Sequence, residues 1–147
     1  MRELCQKFLS SDFLSLDTET TSTDAINAEL VGLSFSIREF EAFYIPIPPE
    51  REKAQKIVDI FKPAYECENL KIGQNIKYDI LVLRNYGVRV GGKLWDTMVA
   101  HYILQPELPH NMDSLAEKYL DYSTIKIEEL IGPKGKNQKN KIGRAHV

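Results

Sequence analysis

At 147 residues, 43% hydrophobic and with a net charge of −2, the chain can bury one core of ordinary size, which argues for a single domain. The charge is uneven: residues 134–147 hold five basic residues and no acid, leaving a net −7 in residues 1–133. That acidic body excludes nucleic-acid binding through a broad basic surface, so a bound polyanion needs metal cations to offset the carboxylates. Cys5 and Cys67 lack zinc-ligand spacing, no apolar run approaches the roughly 20 residues that span a bilayer, and residues 1–16 carry no secretion signal, which together describe a soluble, cytoplasmic chain with reduced thiols and no membrane partner.

Phe13 to Leu16 suits a buried strand, and period-2 alternation sends Asp17 and Glu19 to one side of any continuation. In "ELVGLSFSI" the apolar Val31, Leu33, Phe35 and Ile37 alternate with Gly32, Ser34 and Ser36, the pattern of a strand with one covered face. "EAFYIPIP" completes an antiparallel meander that Pro46, Pro48 and Pro49 stop. Ala54, Ile57, Val58 and Phe61 form one apolar stripe of a helix over about residues 50–62, ended by Pro63. "NLKIGQN" reads as a short buried strand and "NIKYDILVLRNYG" as a second helix, which Gly87 closes with a left-handed cap. This alternation predicts an α/β domain. "DTMVAHYIL" is a third helix with Asp96 as its N-cap, and "DSLAEKYL" a fourth, with Ser114 and Glu117 at capping-box spacing. From Ile131 onward the apolar periodicity ends, and residues 134–147 are expected to form a disordered basic tail.

Three carboxylates need an explanation. Asp17 and Glu19 follow a buried run, where the bland alternative is a solvated loop over "TETTST". Asp79 interrupts "YDILVL", where an unpaired charge costs several kcal/mol. Asn75, four residues earlier, projects from the same side, unless it is merely the N-cap and Asp79 merely favours the positive end of the helix. Asp17, Glu19 and Asp79 together suit a hard cation such as Mg²⁺ or Mn²⁺, and two such ions about 4 Å apart can hold the attacking water and leaving oxygen of a phosphodiester. His101, His110 and His146 stand at no ligand or triad spacing, and serine-hydrolase, P-loop and dinucleotide motifs do not occur.

"LDTETTSTDAINAELVGLSFS", "IGQNIKYDILVLRNYGV", "WDTMVAHYIL" and "NMDSLAEKYL", in this order and spacing, resemble the 3′–5′ proofreading exonuclease domain of bacterial DNA polymerase I over about residues 13–140. "DTMVAHYIL" and "MDSLAEKYL" favour that domain over ribonuclease D or helicase-linked exonucleases. The resemblance implies an RNase H-like α/β fold and two-metal hydrolysis of the 3′-terminal phosphodiester of single-stranded or frayed DNA, with a polymerase domain in the full-length protein. It further implies that Asp17 and Glu19 coordinate the catalytic ions, with Asp17 bridging both, and that Asp79 holds the second ion, largely through water. Gln74, Asn75 and Tyr78 would line the track of the 3′-terminal strand, and Thr18 and Thr20 flank the carboxylates near the terminal sugar. Thr23 and Ile127 replace a leucine wedge and a phenylalanine of some members, which weakens stacking worth on the order of 1–3 kcal/mol per base.

One family feature is absent from these residues. The third motif is a Tyr and an Asp four residues apart, and no Tyr-x-x-x-Asp follows Lys134. Residues 1–133 are therefore expected to be an incomplete exonuclease domain lacking its C-terminal helices, with weak or no activity. The alternative is a non-catalytic nucleic-acid-binding or scaffold remnant; an aspartyl phosphatase would want D-x-D where this chain has D-T-E. Uncovered core surface should make the isolated chain poorly stable or aggregation-prone. Calorimetry checks this, and a sharp, reversible melt of a monomer contradicts it.

Overall fold

The computed structural model describes residues 1–125. Its strands β1 (Phe13–Thr20), β2 (Leu30–Arg38), β3 (Glu41–Pro46), β4 (Leu70–Gly73) and β5 (Leu94–Asp96) form one sheet of order β3-β2-β1-β4-β5. The expected meander is there, β1 with β2 and β2 with β3 antiparallel, and β4 and β5 extend it in parallel. β1 continues past Leu16 to Thr20, so Asp17 and Glu19 belong to the strand and not to a loop.

Alternation along β1 buries Leu14, Leu16 and Thr18 on one face. Register sets Leu16 against Phe35 and Thr18 against Leu33, so the apolar residues of β1 and β2 share that face. Three helices contribute to the core cluster: α1 (Arg2–Leu9), α2 (Arg51–Glu66) and α3 (Ile76–Arg84). Phe35 is the hub, its ring 4.8 Å from Phe8, 5.2 Å from Phe61 and 5.5 Å from Tyr65. Helix α1 is a finding beyond the sequence reading; only Cys5 and Phe8 of its charged run are buried, too few for a clear stripe.

Pro63 does not end α2, which runs on to Glu66. A helical proline removes one N–H and crowds the carbonyl four residues back, here that of the exposed Asp59. Ala64 and Tyr65 beyond it are fully buried, and that burial offsets the cost. Helix α3 stops at Arg84, and after a short turn Gly87 takes the expected left-handed conformation, φ 73°. Lys71 is fully buried on β4 and donates to the carbonyls of Cys67 at 2.7 Å and Asn69 at 3.1 Å, which satisfies its ammonium while burial lowers its pKa.

The chain divides into two compact units, Met1–Ala100 and a second that begins at His101. Helix α4 (Thr97–Leu104) crosses that boundary, and α5 (Met112–Leu120) lies in the second unit. Helix α5 begins earlier than its capping-box spacing suggests. Asn111 is the cap, its side chain accepting the Ser114 N–H at 2.9 Å, so Ser114 lies inside the first turn. His101 and His110, unpaired in the sequence reading, face each other at 2.7 Å between their Nδ1 atoms. The expected basic tail over residues 134–147, its boundary at 133, Ile127 and His146 lie outside the described residues.

Truncating the hub tests this packing. Phe35→Ala should cost about 3–5 kcal/mol, the usual range for a buried phenylalanine. Urea denaturation should show a lowered midpoint with an unchanged slope.

Candidate active site

The site forms where two strands part. β1 is paired with β4 only from Phe13 to Ser15, so the β4-facing edge of β1 is released beyond that point. Into that gap α3 delivers Asp79, whose Oδ1 accepts the Thr18 N–H at 2.9 Å and the Thr18 hydroxyl at 2.6 Å. The released strand amide thereby gains a partner, as a buried donor must. Asp79 is only 2% exposed. Burial pushes its carboxyl up to about 6, against the lowering effect of the Thr18 hydrogen bonds.

Asp17 and Glu19 alternate with Thr18 and face away from it. Their register partners on β2 are Ser34 and Gly32, both small. A bulge follows at once: Glu19 pairs with Gly32 but Thr20 with Leu30, leaving Val31 as the extra residue. Bulges of this kind re-aim side chains, here at the end of the carboxylate pair.

Asp96 organises the entry to α3. Its carboxylate accepts the N–H groups of Asn75 at 3.1 Å and Ile76 at 2.9 Å, and also those of Met98 at 2.9 Å and Val99 at 3.2 Å. One acid thus satisfies orphan donors at the start of two helices. The sequence identified Asp96 as the cap of α4 alone; its second task depends on the β4–β5 pairing, which sets Gly73 beside Asp96. Asn75 stands at the N-cap position of α3 in the left-handed conformation, φ 58°, yet its side chain makes no capping bond and its Oδ1 is buried without a partner.

The remaining expected residues fall into two groups. Tyr78 donates to the Ser22 carbonyl and bonds the Thr20 hydroxyl at 2.6 Å, which fastens the turn after β1 to α3. Gln74 Oε1 accepts from the Thr97 hydroxyl, which also reaches the Gly73 carbonyl at 3.2 Å. Two tyrosines went unread in the sequence. Tyr65 is fully buried with an unpartnered hydroxyl; burial first, then the charges of Asp79 and Asp17, raise its pKa well above the ordinary value. Tyr44 is held high by burial and then by Glu19. Tyr65 had a sequence signal, four residues beyond Phe61 on the α2 stripe, but Pro63 masked it.

Asp17, Glu19, Asp79 and the unpartnered Asn75 Oδ1 supply hard oxygen donors, a set that fits Mg²⁺ or Mn²⁺ and not a soft metal. Among the described residues no three His, Cys, Asp or Glu side chains stand grouped closely enough to hold an ion as placed. Asp79 directs Oδ1 to Thr18, so its second carboxylate oxygen is the one that a cation would draw on.

A family model described as 3′–5′ exonuclease matches residues 1–142. DNA polymerase I of Pseudomonas aeruginosa is 41% identical over 143 residues, covering 90% of this chain and 16% of its own length. The chain therefore spans about a sixth of that relative. Among solved structures, Brucella melitensis NrnC with bound Mg²⁺ superimposes with a TM-score of 0.65 at 20% identity, covering 80% of this chain and 58% of NrnC. The catalytic core of RRP6 from Trypanosoma brucei gives 0.70 at 15% identity, covering 87% and 34%. At such identities these two establish a shared fold, and with it the RNase H-like sheet expected from the sequence. No described helix is long and apolar enough to cross a membrane.

Asp79 also makes stability depend on pH. Its folded-state pKa is raised from 3.8 to about 6, so the folded chain binds this proton more tightly than the unfolded chain does. The contribution is fully present below the unfolded value and is lost as pH rises through the folded one. Asp79→Asn keeps an oxygen acceptor for Thr18 and removes that loss. In metal-free buffer the variant should be more stable than the parent at pH 8, by on the order of 2–3 kcal/mol at about 1.36 kcal/mol per unit. Near pH 4 the two should converge; urea denaturation at both values checks this.

Proposed function

The chain belongs to the 3′–5′ exonuclease family, and on that premise we propose that Asp17, Glu19 and Asp79 form the hydrolytic site of a proofreading exonuclease domain of bacterial DNA polymerase I. The single observation that carries the reading is the Asp79–Thr18 hydrogen-bond pair, which fixes a carboxylate from α3 on the strand that presents Asp17 and Glu19. The substrate is the 3′ end of single-stranded or frayed DNA, the partner a polymerase domain of the full-length protein, and the compartment the bacterial cytoplasm.

In this reading Asp17, Glu19 and Asp79 hold Mg²⁺ or Mn²⁺. When bound, such ions supply Lewis-acid stabilisation of the phosphodiester and a lowered pKa for the attacking water. The chain's own residues do the rest. Thr18 holds Asp79 in place through both backbone and side chain. Tyr78, Thr20 and the Ser22 carbonyl give the turn after β1 a fixed shape, the surface along which a 3′-terminal nucleotide would lie. Gln74 and Asn75, at the α3 entry fixed by Asp96, present amide groups to the strand that approaches it. The site's acids need cations before a phosphate can approach, in keeping with the net charge of −7 over residues 1–133.

The competing reading is a non-catalytic nucleic-acid-binding or scaffold domain. It is favoured by the spacing of the acids: among the described residues no three His, Cys, Asp or Glu side chains are grouped closely enough to hold an ion as placed. A titration with Mn²⁺ separates the two readings, with nucleotide release from a 3′-labelled single strand as the signal. The 147-residue chain should show weak release, a version extended through a Tyr-x-x-x-Asp helix much faster release, and Asp17→Ala in the extended version a loss of at least about 100-fold. No release from the extended protein, with all four carboxylates in place, sinks the exonuclease reading.

A further inference from the structure

Tyr44 lies on the carboxylate side of the sheet. Its β3 neighbours turn the other way, Phe43 to within 5.6 Å of the Phe8 ring and Ile45 into the core. Alternation therefore sends Tyr44 to the face that carries Asp17 and Glu19. Register places Glu19 opposite Gly32, and Gly32 two residues from Ser34, the partner of Tyr44. Through Ser34 the register lines Tyr44 up with Asp17, and the tyrosine ring leans one pair further along β2, over Gly32, the partner of Glu19.

The phenol uses the space that a side chain at 32 would fill. A Cβ on Gly32 would stand 2.2 Å from the Tyr44 hydroxyl oxygen and 2.5 Å from Cζ and Cε2. A side chain at 32 would therefore push the tip of the tyrosine ring aside. That position brings the hydroxyl to the cross-strand neighbour of Glu19, whose charge adds to burial in holding the phenol's pKa up. A half-buried hydroxyl beside a carboxylate is a donor with an acceptor at hand.

We propose that Tyr44 is a positioning residue of the carboxylate site: its hydroxyl donates to Glu19 and restricts that flexible side chain to the orientation in which it meets a divalent cation. Gly32 is the seat that makes this possible. The proposal rests on Glu19 being a cation ligand, as in the preceding reading. Groups that orient a metal-binding side chain from behind contribute about 10–100-fold to metal affinity, because the ligand no longer has to be ordered when the ion arrives.

Two substitutions remove the same contact from opposite sides. Tyr44→Phe keeps the ring and loses the donor; Gly32→Ala keeps the donor and expels the ring. The test uses the full 147-residue chain, with Mn²⁺ binding followed by electron paramagnetic resonance. In parallel, the Glu19 carboxyl ¹³C resonance, assigned with Glu19→Gln, is followed in metal-free protein. Each single variant should weaken Mn²⁺ binding about tenfold and shift the Glu19 resonance, and the double variant should be no weaker than either. An unmoved Glu19 resonance in Tyr44→Phe overturns the proposal. So does unchanged Mn²⁺ affinity in that variant, or additive weakening in the double variant. Mn²⁺ binding by the parent that Glu19→Gln leaves untouched overturns the ligand role of Glu19 instead, whatever the tyrosine does. If the parent binds no Mn²⁺, the Glu19 resonance alone decides: a shift in both single variants supports the hydrogen bond, and none refutes it.

Discussion

The hydrogen bonds from Thr18 to Asp79 are what the rest of the site depends on. A strand that leaves its parallel neighbour has edge amides to satisfy, and a helix that buries a carboxylate has a charge to satisfy. Here each answers the other: the Thr18 N–H and hydroxyl both reach Asp79 Oδ1. The junction fixes α3 to β1 at the place where Asp17 and Glu19 emerge. It also requires α3 to start at one position, which Asp96 secures by taking the N–H groups of Asn75 and Ile76.

This arrangement costs stability. Asp79 is buried among groups that only partly compensate its charge, so its carboxyl is held near 6 instead of in the ordinary range. A bound cation would offset that cost, whereas an asparagine would offset it and lose the charge. The aromatic cluster on the helix face supplies the rigidity that such a site needs. Phe35 contacts rings from α1 and α2 while lying opposite Leu16, one residue from Asp17, so the core and the site share a strand.

The sequence made some of this legible and not the rest, for reasons that differ residue by residue. Asp17 and Glu19 could be assigned to one face because strand alternation is local, and the β2 pattern of Leu33 and Phe35 against Ser34 named its own buried side. Asp79 stood out as a charge in an apolar run, although its partner Thr18 lies 61 residues away and no local rule names it. Asp96 was seen as one helix cap and is two. Ser114 had the spacing of a cap, but Asn111 took the position. Pro63 reads as a stop in any local account; burial of Ala64 and Tyr65 carried the helix through it. The placing of Tyr44 over Gly32 depends on the register of three strands at once.

By itself the sequence determined the α/β class, the meander and the family, and it singled out three carboxylates as candidates, because each is written in short-range periodicity or in motifs a few residues long. The tertiary structure alone decided what those carboxylates touch. Hydrogen-bond partners, burial and the resulting proton affinities depend on which distant segments are brought within about 3 Å. That is settled by sheet order and register, and by where β1 and β4 part after Ser15.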